Sequence, residues 1–233
     1  METVEAILSL KDVRYRWSGQ PPFDLEVNSL TLAPSETVLL LGESGSGKST
    51  LLSLICGTIT AASGTVAVAG TNLASLSASQ RDRFRAEHIG LIFQQFNLLP
   101  FATVQDNILL PLKFAPERRK RVADPTKTVA RLCDDLGLPA GSAKAKASSL
   151  SVGQQQRVAA ARALIGVPPL IIADEPTSSL DASTQENFLK LLFAQTHRHG
   201  SALIMVSHDA RLSSQFDRVI YMQDIALTSR GNA

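Results

Sequence analysis

With only two cysteines among 233 residues, Cys56 and Cys133, the chain cannot build a disulfide framework, and neither stands in a CxxC or metal spacing. That usage fits a reducing compartment, and Cys56, in an apolar stretch, reads as a small buried hydrophobe. No apolar run approaches the roughly 18 residues that cross a bilayer. Residues 1–7 carry acids and lack the basic and apolar segments of a signal peptide, so a cytoplasmic chain is expected. The net charge is only +2, too weak to argue for nucleic acid as a partner. The basic run Arg118-Arg119-Lys120-Arg121 reads as a solvated loop, with acidic lipid headgroups as the sharper alternative. Internal repeats and low-complexity segments are absent as well.

What remains is an ordinary globular composition, 44% hydrophobic and 19% charged, at a length that suits one large domain. Its most informative stretch is Gly42-Glu43-Ser44-Gly45-Ser46-Gly47-Lys48-Ser49-Thr50, set between an apolar strand at 38–41 and an apolar helix from Leu51. This is the phosphate-binding pattern G-x-x-x-x-G-K-[ST]. Gly42, Gly45 and Gly47 let backbone N–H groups, Ser44's among them, converge on one point at a helix N-terminus, where an anion is favoured. Lys48 would reach the β- and γ-phosphates, the Ser49 hydroxyl would ligate Mg²⁺, and Thr50 opens the helix beside them.

The rest of the chain reads as α/β. Partial alternation at 7–15 and clean alternation at 23–27 predict two antiparallel strands near the N-terminus. Short strands are expected at 64–70, at 89–93 ending on Gln94, at 170–174, at 202–206 and at 218–222. The apolar run 170–174 is of the kind that parallel sheets bury on both faces. Between 101 and 150 the character is helical: Val104, Ile108, Leu109 and Leu112 share one helical face, and Val129, Leu132, Cys133 and Leu136 another. Gly137 ends the second of these helices, and the charged segment 115–124, containing Pro116, reads as the loop between them. A further helix is expected over 182–199. The expectation is one domain over 1–233, with a helical subdomain at about 97–165 inside a mostly parallel α/β core.

Four further features carry chemistry. Asp174 and Glu175 close an apolar strand, and ligands of open α/β sheets sit beyond such strand ends. Phosphoryl transfer needs one carboxylate to hold the metal and another group to orient the attacking water, so Asp174 is assigned to Mg²⁺ and Glu175 to general base. His208 closes the next core strand and is read as a γ-phosphate contact. Gln94 could offer its amide oxygen to Mg²⁺ or to the lytic water. Finally, Ser151 is a natural N-cap for a helix whose first turn contains Gly153 and Gln154. One triphosphate does not need two helix N-termini from one subunit, so this second one is read as serving the nucleotide of a partner molecule. A phosphate-loop kinase or GTPase leaves that helix and His208 without a role.

These pieces, in this order, resemble the ATP-binding subunit of ABC transporters over nearly the whole chain. The segments 92–100, 154–158 and 173–177 look most like the lipoprotein-releasing, macrolide-exporting and cell-division branch of bacteria. The resemblance implies the ABC ATPase fold, ATP and Mg²⁺ as ligands, and a head-to-tail dimer with ATP between the phosphate loop of one copy and Ser151, Gly153 and Gln154 of the other. It also implies that an aromatic near the N-terminus stacks on adenine, either Trp17 or Tyr15. Gln94 would relay the γ-phosphate to an integral-membrane permease, and Asp181, in Ser179-Leu180-Asp181, would help join the two sites. Val152 departs from the first glycine of the usual L-S-G-G-Q. Only the second, Gly153, is expected to lie against phosphate.

Overall fold

The computed structural model of the chain describes residues 5–18, 23–178 and 180–230. Apolar alternation near the N-terminus produces two long antiparallel strands, β1 (Leu8–Trp17) and β2 (Phe23–Leu32), with Leu8 opposite Leu32 and Trp17 opposite Phe23. Five consecutive buried residues form β3 (Thr37–Leu41), which runs through the phosphate loop into α1 (Lys48–Ile55). β4 (Ser63–Val68), β5 (Thr71–Asn72), α2 (Ala78–His88) and β6 (Ile89–Ile92) follow. Then come α3 (Val104–Leu109), α4 (Pro116–Lys120), α5 (Pro125–Asp135) and α6 (Val152–Leu164). The chain continues through β7 (Leu170–Asp174), α7 (Ala182–His199), β8 (Ala202–Ser207), β9 (Arg218–Tyr221), α8 (Met222–Ile225) and β10 (Ala226–Arg230).

Two compact units result, one from the described residues up to Arg85 together with those from Ile204 onward, the other Ala86–Leu203. In the first, an antiparallel sheet has the strand order β10-β2-β1-β4-β5. Alternation turns Leu8 and Leu10 of β1, and Leu25 and Val27 of β2, into the core, and an irregularity between Lys11 and Arg14, where Asp12 has φ 49°, brings Val13 to the buried face as well. β10, which shows no clear alternation in sequence, is recruited by pairing Ala226 with Val27 and Thr228 with Leu25. β3 pairs in parallel with β9, Leu41 opposite Tyr221. The start of that pair is pinned where Thr37 donates both its N–H and its hydroxyl to Asp217 at 2.8 Å.

In the second unit β6 and β7 run parallel, with Ile92 opposite Ala173. Helix starts are set by side chains: Thr103 and Asp106 form a capping box on α3, Asp124 caps α5 ahead of Pro125, and Asp181 caps α7. Gly137 (φ 67°) follows α5, and Gly200 (φ 66°) ends α7, both in the left-handed conformation that suits a helix terminus.

The segment 115–124 corrects the sequence reading. Pro116 does not mark a loop; it begins a short helix, α4, where its missing N–H costs nothing. Arg118 is not solvated but 1% exposed. Its guanidinium donates to the carbonyls of Ala163 and Ile165, both at 2.6 Å, and of Ala86 at 3.1 Å. Carbonyls at the C-terminal end of α6 have no partner within the helix, and Arg118 supplies one. Burial pushes its guanidinium down to about 10, still fully charged near neutrality. Its own N–H and that of Glu117 donate to the buried carboxylate of Glu87. Arg119, Lys120 and Arg121 remain exposed, as the run as a whole was expected to be.

Candidate functional site

The first unit holds the phosphate loop. Gly45 (φ 79°) and Gly47 (φ 95°) occupy the left-handed region that turns the chain from β3 into α1. Space is as tight as conformation: a Cβ on Gly47 would lie 3.0 Å from Leu25 Cδ1, and one on Gly42 would lie 2.9 Å from Met222 Cβ. Lys48 is buried, and its ammonium donates across the loop to the carbonyls of Gly42 and Glu43, both at 2.7 Å. Its charge therefore sits inside the curve of the loop. Ser44, Gly45 and Ser49 are exposed and Thr50 half-buried.

Trp17 is tied to this loop. Its indole N–H donates to the Thr50 hydroxyl at 3.1 Å, and its ring meets Tyr15 edge-on with centroids 5.2 Å apart. His208, just past β8, lines a cleft of about 640 Å³ together with Gly42, Glu43 and Ser46. The structure thus brings Trp17, the phosphate loop and His208 into one unit.

The second unit holds the other candidates. Asp174 ends β7, and Glu175 follows with φ 43°, a left-handed conformation that a side-chain-bearing residue rarely adopts. Such backbone strain persists where the surroundings over-determine it, often at functional positions. The register of β6 and β7 sets their C-terminal ends side by side, and the Gln94 amide N–H lies 3.5 Å from the Ser178 hydroxyl. Ser151 caps α6 in a full capping box with Gln154: the Gln154 N–H donates to Ser151 Oγ, and the Ser151 N–H to Gln154 Oε1. Val152 is half exposed. Asp181 takes hydrogen bonds from the hydroxyls of Ser183 and Thr184 and from the Thr184 N–H, which hold its carboxyl far below the usual carboxylate range. Ser179 lies outside the described residues.

The donors assigned to Mg²⁺ are chemically suitable. Ser49, Asp174 and Gln94 all offer oxygen, the ligand type that a small hard cation takes alongside water and phosphate oxygens. The sequence reading named nothing that secures the chain after Gln94. Arg162, on the buried side of α6, does so: its guanidinium donates to the carbonyls of Phe96 and Asn97, both residues with left-handed backbones. The one signal in sequence was an arginine at helical spacing from Val158 and Ala159, on an otherwise apolar face.

A phosphate loop, a carboxylate pair closing a strand and a second capped helix N-terminus define a nucleotide-binding protein of the phosphate-loop class. The ABC transporter family matches residues 25–178, and the chain belongs to that family. It is 40% identical over 205 residues to the uncharacterized ABC transporter ATP-binding protein YbbA of Escherichia coli K12, covering 87% of this chain and 88% of the relative. It is also 40% identical over 199 residues to the macrolide export ATP-binding/permease protein MacB of Rhodopirellula baltica; the match covers 84% of this chain but 28% of that longer protein. The ATP-binding cassette MJ0796, solved as a post-hydrolysis dimer with ADP and Pi, superposes with a TM-score of 0.77 at 33% identity, covering 97% of this chain and 99% of that one. The fold is the ABC ATPase fold, and the chain is an ATPase that binds ATP.

Proposed function

We propose that this chain is the ATP-hydrolysing subunit of a bacterial ABC transporter of the export or extraction type, acting as a head-to-tail dimer on the cytoplasmic face of the inner membrane. The domain reads as one ABC ATPase unit, with the helical part at about 97–165 carrying the contact to an integral-membrane permease. In the closed dimer, Lys48 and the loop amides hold the β- and γ-phosphates of one ATP, with an aromatic, Trp17 or Tyr15, against its adenine. Ser151, Gly153 and Gln154 of the other copy close over the γ-phosphate. Glu175 takes a proton from the attacking water as its oxygen bonds to the γ-phosphorus, and the bond to the β–γ bridging oxygen breaks. His208 contacts the γ-phosphate, and Gln94 senses it. Mg²⁺, held by Ser49, Asp174 and Gln94, would offset phosphate charge. Asp181 helps join the two sites.

The observation that carries the in-trans reading is at Gly153. A glycine in a helix costs about 1 kcal/mol relative to alanine. Yet Gly153 has an ordinary backbone, and a Cβ there would meet only Thr184 Cγ2, at 3.8 Å. Nothing among the described residues asks for glycine at this position, whereas a phosphate lying flush against the helix start would.

The relatives support the export reading: one combines ATP-binding and permease parts in a macrolide exporter, and a structural neighbour is a dimeric cassette. The test is capture of partners from detergent-solubilised bacterial membranes with Glu175→Gln protein and ATP. A permease with a large extracytoplasmic domain is the expected catch. Recovery of cell-wall or division regulators alone would instead indicate a non-transporting ATPase that signals through a membrane partner.

A further inference from the structure

Three glutamine side chains, two from helices and one from the turn after β6, reach three consecutive residues of the turn that follows Glu175. Gln156 of α6 donates its amide N–H to the Pro176 carbonyl at 2.7 Å. Gln185 of α7 donates to the Thr177 hydroxyl at 2.9 Å. Gln94 completes the set with its 3.5 Å approach to Ser178.

Gln156 is the unusual member. It is fully buried, and its amide oxygen has no hydrogen-bond partner among the described residues. Leucine or methionine would fill the same volume without stranding a buried acceptor, and a buried polar group without a partner calls for a reason. The reason on offer is the donor half of the amide, since the Pro176 carbonyl needs a hydrogen-bond donor and leucine or methionine would supply none. Next to that carbonyl, Glu175 holds its left-handed backbone at φ 43°, a conformation that lasts only where the neighbouring structure enforces it.

We propose that Gln156 is a positioning residue for the catalytic base. By holding Pro176 it fixes the backbone of Glu175 and so the place of its carboxylate, while Gln185 steadies the far side of the same turn. Gln156 also lies on the helix that begins with Ser151 and Gly153. The element that reads a partner's nucleotide is thereby bonded directly to the turn carrying this chain's own base. The proposal rests on Glu175 being that base.

The test compares Gln156→Leu, Glu175→Gln and the double variant, by steady-state ATP hydrolysis and by single turnover. Gln156→Leu is expected to lower kcat by roughly 10- to 100-fold, the worth of a small misplacement of a catalytic group, with KM little changed. In the Glu175→Gln background the same substitution is expected to change the remaining single-turnover rate by less than about twofold, because residues acting as a unit are not additive. An undiminished kcat in Gln156→Leu overturns the proposal, as does an equal fractional loss in both backgrounds, which would mark a purely structural role. Wild-type kcat in Glu175→Gln would remove the base assignment itself, a failure distinct from the other two. Should Gln156→Leu not fold, Gln185→Leu, on a partly exposed side chain, takes its place: a kcat loss confined to the Glu175 background supports the clasp, and an unchanged kcat overturns it.

Discussion

The indole N–H of Trp17 donates to the hydroxyl of Thr50 at 3.1 Å, joining the end of the first strand to the first turn of the phosphate-loop helix. The two residues are 33 positions apart, and each stands out in sequence for a different part of the same nucleotide. The bond holds the ring by its edge while 43% of the residue stays exposed.

Trp17 is the only tryptophan of the chain, so its emission reports on this site alone. Addition of ATP should change that emission, and Trp17→Ala should weaken ATP binding by about 1–3 kcal/mol, the usual worth of a base–aromatic stack. Tyr15→Ala should weaken it less. The reverse ranking by calorimetry would make Tyr15 the stacking residue.

Lys48 and Gly153 should separate binding within one copy from closure between two. Lys48→Ala should weaken ATP binding to the monomer by about 1.5–3 kcal/mol for each charge-assisted hydrogen bond to phosphate that the ammonium makes. Gly153→Asp should leave monomer binding intact while stopping turnover and ATP-dependent dimer formation on a sizing column. A failure of monomer binding in Gly153→Asp would contradict the in-trans assignment.

Arg118 should behave as a core residue despite its charge. Arg118→Ala strands the carbonyls of Ala163 and Ile165 and leaves the buried Glu87 carboxylate without its nearby charge. Removing one side of such a buried charged network is worth about 3–5 kcal/mol. Arg119→Ala, one residue along and exposed, should stay within about 0.5 kcal/mol of wild type in urea unfolding.

Asp181 supplies a pH prediction. Hydroxyl and N–H donors from Ser183 and Thr184 depress its folded pKa, so the folded state holds its proton less tightly than the unfolded chain. Its stabilising effect is present above the unfolded value, near 3.9. It is lost as pH falls through the lower folded value. Carbon-detected NMR titration of the carboxyl should find Asp181 still ionised where ordinary aspartates are half protonated. A midpoint in the ordinary range would show that the cap is not formed in solution.

Much of this protein was legible in the order of its residues. The phosphate loop, the strand ending in Asp174 and Glu175, the helix over 182–199 and the cap at Ser151 each rest on local chemistry. A glycine turn, an apolar run and an N-cap are all decided by residues within a few positions of one another. The family resemblance rested on the same local motifs and has the same reach. What tertiary structure alone decided involves partners far apart in the chain. β10 forms because β2 offers an open edge, not because its own residues alternate. Arg118 is buried because α6 ends with unpaired carbonyls 44 to 47 residues away, so a run of four basic residues splits into one core residue and three on the surface. Gln156 and Arg162 likewise look like ordinary polar positions of a helix. Their partners, Pro176, Phe96 and Asn97, come within reach only when the second unit packs. Hydrogen bonds to backbone carbonyls leave no trace in residue identity at the acceptor end, since every residue has a carbonyl, and so no pattern in the sequence could have named them.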